Sequence, residues 1–254
     1  MPREDRLRDI VSHRRETGIL LDFDGTLSEI APSPEEARPV EDAASTLEEL
    51  AASFGVVAVV SGRRAADVAR LLRANVRYFG LYGLEDDVAA LDRDAPAFVE
   101  QVLPKVERIV SGIPGARVEH KGVQLAVHYR GAPDPEAAAD TLRERLGTVA
   151  EAHGLTLLEG KRVLELAPMN GPTKGDVVRS LAREAALRYL LYAGDDVADL
   201  ASFQELDRLD ESGVSGVKVA VRSLETPELL LSAADVVVEG PRGLIDLLRS
   251  LLRE

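Results

Sequence analysis

The sequence predicts an α/β fold: a doubly wound parallel sheet interrupted by a smaller α+β domain. At both ends of the chain, short apolar runs that stop at Gly or Asp alternate with amphipathic helical patterns, as in parallel βαβ units. The middle of the chain instead repeats a helix followed by two short strands. The 254 residues, 45% of them hydrophobic, suffice for one large or two smaller globular domains.

The elements of the predicted core alternate between strand and helix. The strands are rich in Val, Leu and Ile and end in turn residues, whereas the helices repeat apolar residues every three to four positions. The N-terminal part contains GILLDFDG, DAASTLEELAA, FGVVAVVSGR and ADVARLLRA. After residue 170 come a helix over about 174–187 and then RYLLYAGDD, ADLASFQEL, GVKVAV, ADVVVEG and LIDLLRSLL.

The segment between these two parts predicts a separate domain over about residues 87–168, which leaves 1–86 and 169–254 for the core. It contains PAFVEQVLPKVERIV, RVEHKG and VQLAVHYR, followed by EAAADTLRERLGTVAEA, LTLLEG and KRVLELAP. Turns at KG and EGK predict antiparallel hairpins. Such hairpins suit an inserted α+β lid better than further strands of a parallel sheet.

The composition argues against several classes of function. A formal net charge of −13 repels polyanions, so we expect no nucleic acid and no anionic membrane as partner. The chain has no Cys, and its four His residues lack zinc-type spacing. The N-terminus lacks the apolar core of a signal peptide, and no segment approaches about 18 unbroken apolar residues. We therefore expect a cytoplasmic protein that acts on a small molecule, and we expect it to be a monomer.

Polar side chains stand at the ends of several predicted strands. Asp22 and Asp24 end the first strand, Ser61 ends the second, and Asp195 with Asp196 ends a later one. Open parallel sheets bind ligands at the carboxyl ends of their strands. These residues are therefore predicted to lie along one edge of the sheet.

Each of these patterns also fits a structural role. DFDG can form a surface hairpin turn, although TLSEI makes a poor partner strand. A calcium loop is excluded because Gly25 would have to stand sixth in the loop and because a strand precedes it. Ser61 can cap the following helix, and one acid among Asp195, Asp196 and Asp199 can cap another.

Lys174 opens the helix that follows NGPT, where its charge opposes the helix dipole at a cost of about 0.3–1 kcal/mol. This predicts an anion nearby, unless the side chain reaches into solvent. Several carboxylates on one edge need a cation, and an all-oxygen site favours Mg²⁺. Mg²⁺ then joins the carboxylates to a phosphate. The remaining oxygens of the phosphate are held by Lys174, Ser61, Arg63 and N–H groups near Gly25 and Gly62.

Two aspartates separated by one residue suit the hydrolysis of a phosphate monoester. Asp22 is predicted to attack phosphorus and form an aspartyl phosphate. Asp24 is near enough to protonate the leaving oxygen and later to deprotonate the water that cleaves the intermediate. The very slow uncatalysed reaction requires covalent, acid–base and metal catalysis together.

The ordered motifs DFDGT, VVSGR, Lys174 and GDDVAD resemble the four motifs of the haloacid dehalogenase-like phosphatases. Within that superfamily, VEHKGVQLAVHYR, VLELAP and PTKG are similar to trehalose-6-phosphate phosphatases, over about Leu20 to Ala220. The resemblance implies a Rossmann-like core with an α/β cap of the C2B type, inserted between the second and third motifs. It also implies Mg²⁺-dependent hydrolysis of trehalose 6-phosphate to trehalose and phosphate.

The resemblance assigns roles to residues of the core. Asp22 is implied to be the nucleophile and Asp24 the acid–base. Asp195 is implied to bind the metal together with Asp22 and the Asp24 carbonyl, while Asp196 or Asp199 assists from the outer shell of the ion.

Strand alternation in the insert predicts one apolar and one polar face. Alternation alone also fits a polar face that is simply solvated. The resemblance instead implies that the polar face binds sugar hydroxyls, which makes the cap selective, and that the cap excludes bulk water. The substrate-binding residues implied in this way are Glu119, Lys121, His128, Arg130 and Glu165. Gln124 lies on the same polar face.

The sequence departs from the family pattern at two places. Ala198, Asp199 and Leu200 stand where the family usually has Thr, Asp and Glu, and Tyr82 stands where a His is usual. Neither change touches the nucleophile, the acid–base or the lysine. The departures therefore put the preference for the disaccharide in doubt rather than the phosphatase chemistry.

Three other functions fit part of the pattern. A receiver-type phosphoacceptor also combines aspartates, Mg²⁺ and a lysine, but Asp24 would shorten the life of its phosphoaspartate and it needs no lid. A sugar-phosphate-binding protein without turnover is disfavoured only because every chemical group is present. The third is a phosphatase for another sugar phosphate, such as sucrose 6-phosphate or a glycosyl phosphoglycerate.

Overall fold

The computed structural model describes residues 3–31, 36–86, 97–121, 124–169 and 171–253. The chain forms two compact units, the first comprising Met1–Ala89 with Pro172–Glu254 and the second Ala90–Gly171. The predicted start of the insert at residue 87 lies outside the described residues. Its predicted end, residue 168, is the last residue of a strand in the second unit.

The strands within the described ranges run in chain order as follows: β1 Thr17–Leu21, β2 Val56–Val60, β3 Arg77–Gly80, β4 Glu85–Asp86, β5 Arg117–His120, β6 Leu125–His128, β7 Leu155–Gly160, β8 Val163–Pro168, β9 Tyr189–Gly194, β10 Ser215–Arg222 and β11 Val236–Glu239. The α-helices are α1 Arg3–Ser12, α2 Ala43–Ser53, α3 Ala65–Leu72, α4 Ala97–Val110, α5 Pro135–His153, α6 Lys174–Glu184, α7 Leu200–Glu211, α8 Glu228–Ala233 and α9 Gly240–Arg253.

The first unit is built on a sheet whose described strands follow the order β11-β10-β9-β1-β2-β3-β4. All neighbours are parallel except β3 and β4. The chain moves outward from β1 through β2 to β3 on one side, and from β9 through β10 to β11 on the other. The predicted doubly wound parallel core is therefore confirmed, and its order reverses between β1 and β9.

Helices cover both faces of this sheet because successive strand residues point to opposite sides. Ile19 and Leu21 belong to a buried cluster that includes Leu47 of α2 and Leu248 of α9. Leu20, which lies between them, belongs to a second cluster with residues of α6, α7 and α8. The uninterrupted apolar run of β1 follows from this double coverage.

The second unit has an antiparallel sheet in the order β5-β6-β8-β7. Leu125 and Val127 of β6 pack with Leu142 and Leu146 of α5 in a separate buried cluster that also contains residues of α4. The predicted antiparallel hairpins and the α+β character of the insert are confirmed.

Two predicted boundaries differ from the structure. The helix predicted to reach residue 187 ends at Glu184, because Ala186 adopts a left-handed φ of 49°. In the second hairpin Gly160 pairs with Val163 at the end of β7, and the turn consists of the two residues that follow Gly160. Helices α1 and α8 and strands β3 and β4 were not predicted.

Among the described residues, no helix is long and apolar enough to cross a membrane.

Candidate active site

Asp22 directly follows β1, and its backbone N–H donates to the Ala193 carbonyl of β9 at 2.9 Å. This bond continues the parallel pairing of β1 and β9 by one residue. The chain then turns sharply, because the N–H groups of residues 26–28 all donate to the Phe23 carbonyl at 2.9–3.3 Å. DFDG is thus not the turn of a hairpin, since both neighbours of β1 are parallel strands distant in sequence.

The carboxyl ends of β1 and β9 flank the position where the strand order reverses. Asp22 follows β1, and Asp195 follows β9 after Gly194. Open α/β sheets form their ligand-binding crevice at this position, because the connections leave the two strands in opposite directions. The two aspartates lie where the sequence predicted a site.

Lys174 is the first residue of α6 and is 3% exposed, so it is not a solvated lysine. Its Nζ donates to Asp22 Oδ1 and to Asp199 Oδ1, both at 2.7 Å. Burial opposes its charge, but Asp199 and Asp22 raise the pKa of Lys174 well above its ordinary value. The anion predicted beside this helix start is therefore a pair of carboxylates of the protein itself.

Asp199 accepts four hydrogen bonds. Its Oδ1 accepts from Lys174 Nζ and from the Tyr192 hydroxyl at 2.7 Å. Its Oδ2 accepts from the backbone N–H groups of Asp195 and Asp196, both at 2.9 Å. A carboxylate offers about four lone-pair positions, so these donors use all of them. Asp199 thereby fixes both the lysine and the backbone that carries Asp195.

Asp195 is fully buried and lies against the loop after β1. Its Oδ1 accepts from Thr26 Oγ1 at 3.2 Å. Gly25 has a φ of 80°, and a Cβ atom at this position would overlap the Asp195 carboxylate. Gly25 is therefore required both for the left-handed backbone and for the close approach of Asp195.

A metal site fits the donors of this crevice. Asp22, Asp195 and Asp199 each offer an oxygen, and the three atoms lie within 4.8 Å of one another. Burial raises the pKa of Asp22 to about 7, with Lys174 acting to lower it and Asp199 to raise it. A hard cation would relieve this repulsion, and three carboxylates suit Mg²⁺. An ion on Asp199 would have to displace one of its donors, so Asp22 and Asp195 are the better direct ligands.

Asp24 is held by an arginine of the neighbouring loop. Arg63 Nε donates to its Oδ2 at 2.6 Å, and Arg63 Nη2 donates to its Oδ1 at 2.7 Å. The guanidinium also lies 5.6 Å from the centre of the Phe23 ring. The Asp24 carboxylate is 40% exposed, whereas the Asp22 carboxylate is buried. Arg63, which was predicted to bind phosphate, therefore contacts the predicted acid–base directly.

Ser61 directly follows β2, and its hydroxyl accepts from the Arg63 backbone N–H at 3.1 Å. It does not cap α3, because Glu85 accepts from the first N–H of that helix, at Ala65, at 2.8 Å. The Tyr82 ring lies beside Gly62, where a Cβ atom would be 2.7 Å from the ring. Ser61, Gly62 and Arg63 thus form one loop at the same sheet edge as Asp24.

Asp196 caps the 3₁₀ turn Val197–Asp199, since its Oδ1 accepts from the Val197 N–H at 2.7 Å. Ala198 lies inside this turn, and Leu200 begins α7. The capping role considered for one acid of this motif therefore holds for Asp196.

In the second unit, the predicted cap residues form two pairs on the polar face of the sheet. Glu119 Oε2 lies 2.6 Å from His128 Nε2. Lys121 Nζ donates to Glu165 Oε1 at 2.5 Å, and both side chains are buried. Arg130 Nη2 donates to the carbonyl of Lys161 in the turn after β7 at 3.2 Å. The face is therefore not a uniformly solvated one.

Two contributors to the core site were missed in the sequence. The Tyr192 hydroxyl binds Asp199, and burial raises the pKa of Tyr192 well above its ordinary value, which keeps it a donor. Thr26 binds Asp195. Tyr192 looked like an ordinary buried strand residue, but a tyrosine two residues before a strand-ending glycine is a polar group near the sheet edge.

A model of the trehalose-phosphatase family matches residues 20–229. The chain belongs to the trehalose-phosphatase family. Its relatives include a trehalose-phosphate phosphatase of Mycobacterium marinum, 33% identical over 243 residues, which cover 88% of this chain and 58% of that protein. The chain therefore spans little more than half of the mycobacterial relative.

A second trehalose-phosphatase relative, the trehalose-6-phosphate phosphatase of Escherichia coli, is 30% identical over 223 residues, or 85% of this chain and 82% of that protein. The solved C-terminal domain of the C. albicans trehalose-6-phosphate phosphatase matches with a TM-score of 0.81 at 24% identity, covering 100% of this chain and 97% of that one. At this identity the match shows the fold alone. The family resemblance drawn from the motifs is confirmed.

Proposed function

We propose that this chain is a Mg²⁺-dependent phosphatase that hydrolyses trehalose 6-phosphate to trehalose and phosphate through an aspartyl phosphate on Asp22. The observation that carries the proposal is the position of Lys174. Its Nζ joins Asp22 to Asp199 at the carboxyl end of β1, with Asp195 alongside. Once a divalent cation offsets the three buried carboxylates, a buried ammonium beside them is suited to a phosphoryl group more than to a neutral ligand.

In the first step, a carboxylate oxygen of Asp22 attacks phosphorus and the bond from phosphorus to the sugar oxygen breaks. Asp24, as a carboxylic acid, gives its proton to that oxygen, and the sugar leaves as a neutral alcohol. In the second step, the Asp24 carboxylate takes a proton from a water molecule whose oxygen attacks phosphorus. The bond to Asp22 then breaks, and inorganic phosphate leaves.

Arg63 is proposed to serve both Asp24 and the phosphate. The guanidinium of Arg63 donates to both carboxylate oxygens of Asp24 in a bidentate pair. Such a pair suits the second step, in which Asp24 acts as a base. In the first step a phosphoryl group would compete for the guanidinium, which frees Asp24 to carry a proton.

Lys174 is proposed to neutralise the phosphoryl oxygens and Asp199 to hold Lys174 in place. Mg²⁺, held by Asp22 and Asp195 with the Asp24 carbonyl, would supply positive charge that offsets the repulsion between Asp22 and the phosphate. Asp196 and Asp199 would then act on the ion only indirectly, because their carboxylates fix the backbone of the loop after β9. The loop of Ser61 and Gly62 would bind the remaining oxygens.

The preference for trehalose 6-phosphate is proposed to lie in the cap. Glu119, Lys121, His128, Arg130 and Glu165 offer charged donors and acceptors, and a buried site made of such groups rejects ligands that leave them unpaired. This substrate is supported by the similarity to the trehalose-phosphate phosphatase of M. marinum and the trehalose-6-phosphate phosphatase of E. coli.

Rapid-mixing kinetics with p-nitrophenyl phosphate test the covalent mechanism. Asp22→Asn should lower turnover by on the order of 10⁴-fold or more, because the nucleophile is lost. Asp24→Asn should release one equivalent of p-nitrophenol and then stop, because this leaving group needs no acid whereas the second step needs the base. Asp207→Asn, at an exposed pair with Lys218, is the surface control. Steady turnover without a burst in Asp24→Asn would refute the assigned roles.

Phosphate release from a panel of sugar phosphates, with and without Mg²⁺, tests the substrate. Trehalose 6-phosphate should have the highest kcat/KM, above sucrose 6-phosphate and glycosyl phosphoglycerate. A protein that only binds sugar phosphates would release none, and a receiver-type module would yield at most one equivalent from a phosphodonor. Either result would refute the proposal.

Substitutions in the cap test its role in specificity. Glu119→Ala and Arg130→Ala should lower kcat/KM for trehalose 6-phosphate far more than for p-nitrophenyl phosphate. Arg143→Ala removes two exposed ion pairs of the same unit, with Asp140 and with Glu159, and is the matched control. Equal losses on both substrates would show that the cap does not determine specificity.

A further inference from the structure

Gln124 carries a fully buried side-chain amide that has no hydrogen-bond partner within the described part of the chain. Its exposure is 0%, and neither Nε2 nor Oε1 has a partner among the described residues. A Gln side chain carries two N–H donors and a carbonyl with two lone pairs. Buried side chains of this kind are almost always hydrogen-bonded, so an unsatisfied one calls for a ligand or an ordered water.

The position of Gln124 places it among the predicted sugar-binding residues. It directly precedes β6, and its carbonyl accepts from the Lys121 N–H at 3.0 Å across the hairpin. By strand alternation its side chain is on the same face as Ala126, and Ala126 pairs with both Glu119 and Glu165. Gln124 therefore belongs to the polar face of the cap sheet.

The charged groups of this face contact one another, whereas the amide remains outside their pairs. Lys121 binds Glu165, and Glu119 binds His128. An anion would engage only the Nε2 donors of Gln124, and a cation only its Oε1. A sugar hydroxyl both donates and accepts, so adjacent hydroxyls satisfy the two ends of a neutral amide together.

We propose that Gln124 is a specificity residue that binds hydroxyl groups of the sugar part of the substrate, with Oε1 accepting from one hydroxyl and Nε2 donating to another. The inference rests on the proposed function and adds to it a residue outside the charged set of the cap. It assigns to this neutral side chain the recognition of hydroxyl positions, because an amide fixes donor and acceptor directions where a flexible ammonium does not.

Gln124→Met tests the inference, because Met has a similar volume and no hydrogen-bonding group. Its melting temperature should equal or exceed that of the wild type, since an unsatisfied polar group leaves the interior. The kcat/KM for trehalose 6-phosphate should fall by about tenfold or more, mainly through KM. For p-nitrophenyl phosphate it should stay within about twofold.

Thr46→Val is the matched control. Thr46 lies in α2, is 1% exposed and also has a side-chain hydroxyl without a partner among the described residues. Its replacement likewise removes a buried unsatisfied group, but in the unit that does not carry Gln124. The melting temperature should respond as in Gln124→Met, while kcat/KM for both substrates should stay unchanged.

Monodeoxy derivatives of trehalose 6-phosphate identify the hydroxyl. The wild type should lose activity on at least one derivative, and Gln124→Met should show no further loss on that same derivative, because the interaction is already missing. Two results would overturn the inference. In the first, Gln124→Met has the same kcat/KM as the wild type on trehalose 6-phosphate. In the second, its kcat/KM falls equally on trehalose 6-phosphate and on p-nitrophenyl phosphate. The first result would mean that a permanent water satisfies the amide.

Failure of the inference differs from failure of the proposed function. If the wild type prefers another sugar phosphate, the comparison is made with that substrate, and the same selective loss is expected in Gln124→Met. If the wild type hydrolyses no sugar phosphate better than p-nitrophenyl phosphate, both proposals fall.

Discussion

Asp199→Asn should destabilise the protein strongly even without a metal, because this carboxylate accepts four buried hydrogen bonds. An Asn carbonyl can keep two of the donors, for example Lys174 and Tyr192. The amide nitrogen of the Asn then faces the backbone N–H groups of Asp195 and Asp196. Both sides carry only N–H donors, so these two backbone groups lose their acceptor. The substitution also removes one of the two carboxylates that balance the buried Lys174.

The size of the loss follows from these contacts. Two buried donors without acceptors cost about 1–3 kcal/mol each. Breaking a buried ion pair by removing one partner costs about 3–5 kcal/mol. The contributions overlap because the groups share one network, so we expect the free energy of unfolding to fall by about 3–5 kcal/mol. This is a large part of the roughly 5–15 kcal/mol typical of a domain.

Equilibrium unfolding in urea, followed by circular dichroism in EDTA, measures this loss. The control is Asp207→Asn, whose carboxylate is 63% exposed and pairs with Lys218 at 2.7 Å, so it should lose only about 0.2–1 kcal/mol. One result would show that the hydrogen-bond argument is wrong and that Asp199 is a direct ligand of the metal. In that result, Asp199→Asn loses no more unfolding free energy than the control in EDTA, and its stability differs from that of the wild type only when Mg²⁺ is added.

Three further predictions concern the same crevice. Burial raises the pKa of Asp22 to about 7, so its contribution to the stability of the metal-free protein is present below about pH 4 and is lost as the pH rises through 7. In urea unfolding, Asp22→Asn should therefore gain stability relative to the wild type between pH 5 and pH 8, and an unchanged difference would contradict the assignment. Because the proton competes with Mg²⁺, calorimetry should show the Mg²⁺ dissociation constant rising by up to about tenfold per pH unit below pH 7, and a constant value would refute this. Gly25→Ala should lower the free energy of unfolding in urea by about 1–3 kcal/mol and weaken Mg²⁺ binding, because the left-handed backbone and the Asp195 carboxylate leave no room for a Cβ atom. The control is Gly147→Ala in α5, where a Cβ atom has free space, so this variant should not be destabilised. Similar behaviour of the two variants would contradict the role of Gly25.

The sheet and the edge that carries the candidate site could be predicted because both depend on local sequence. A five-residue apolar run such as β1, buried on both faces, is recognisable without knowing its neighbours. The aspartates that follow β1 and β9 then mark the carboxyl ends of parallel strands. The unfavourable position of Lys174 at a helix start predicted an anion, and two carboxylates are found there.

The end of α6 shows why element boundaries were less predictable. Ala186 is left-handed, its N–H donates to the Arg183 carbonyl, and the Leu187 N–H donates to the Ala182 carbonyl. This is a Schellman ending, which usually carries Gly at the left-handed position. Because Ala stands there and Leu187 is buried just beyond the helix, the apolar pattern continues three residues past the true end.

The pairing of the site residues could not be predicted because it depends on tertiary contacts. Arg63 and Asp24 are 39 residues apart, and their bidentate contact exists only because the loops after β1 and β2 adjoin. Gln124 alternates with apolar residues in the way a solvated side chain does. Its complete burial is a property of the folded cap that no local pattern encodes.

The structure also changes the meaning of the departure at Tyr82. The backbone N–H of Tyr82 donates to the Ser61 carbonyl at 3.0 Å, and the Tyr82 ring lies against Gly62. The Tyr82 backbone is left-handed, with a φ of 60°. Tyr82 thus supports the loop proposed to bind phosphate, and it lies in the same unit as that loop rather than in the cap. A phosphoryl group is common to every substrate, whereas the sugar is not. Under the proposed function, this departure therefore bears on how all phosphate esters are held, and the proposed choice among sugars is assigned to the polar face that contains Gln124.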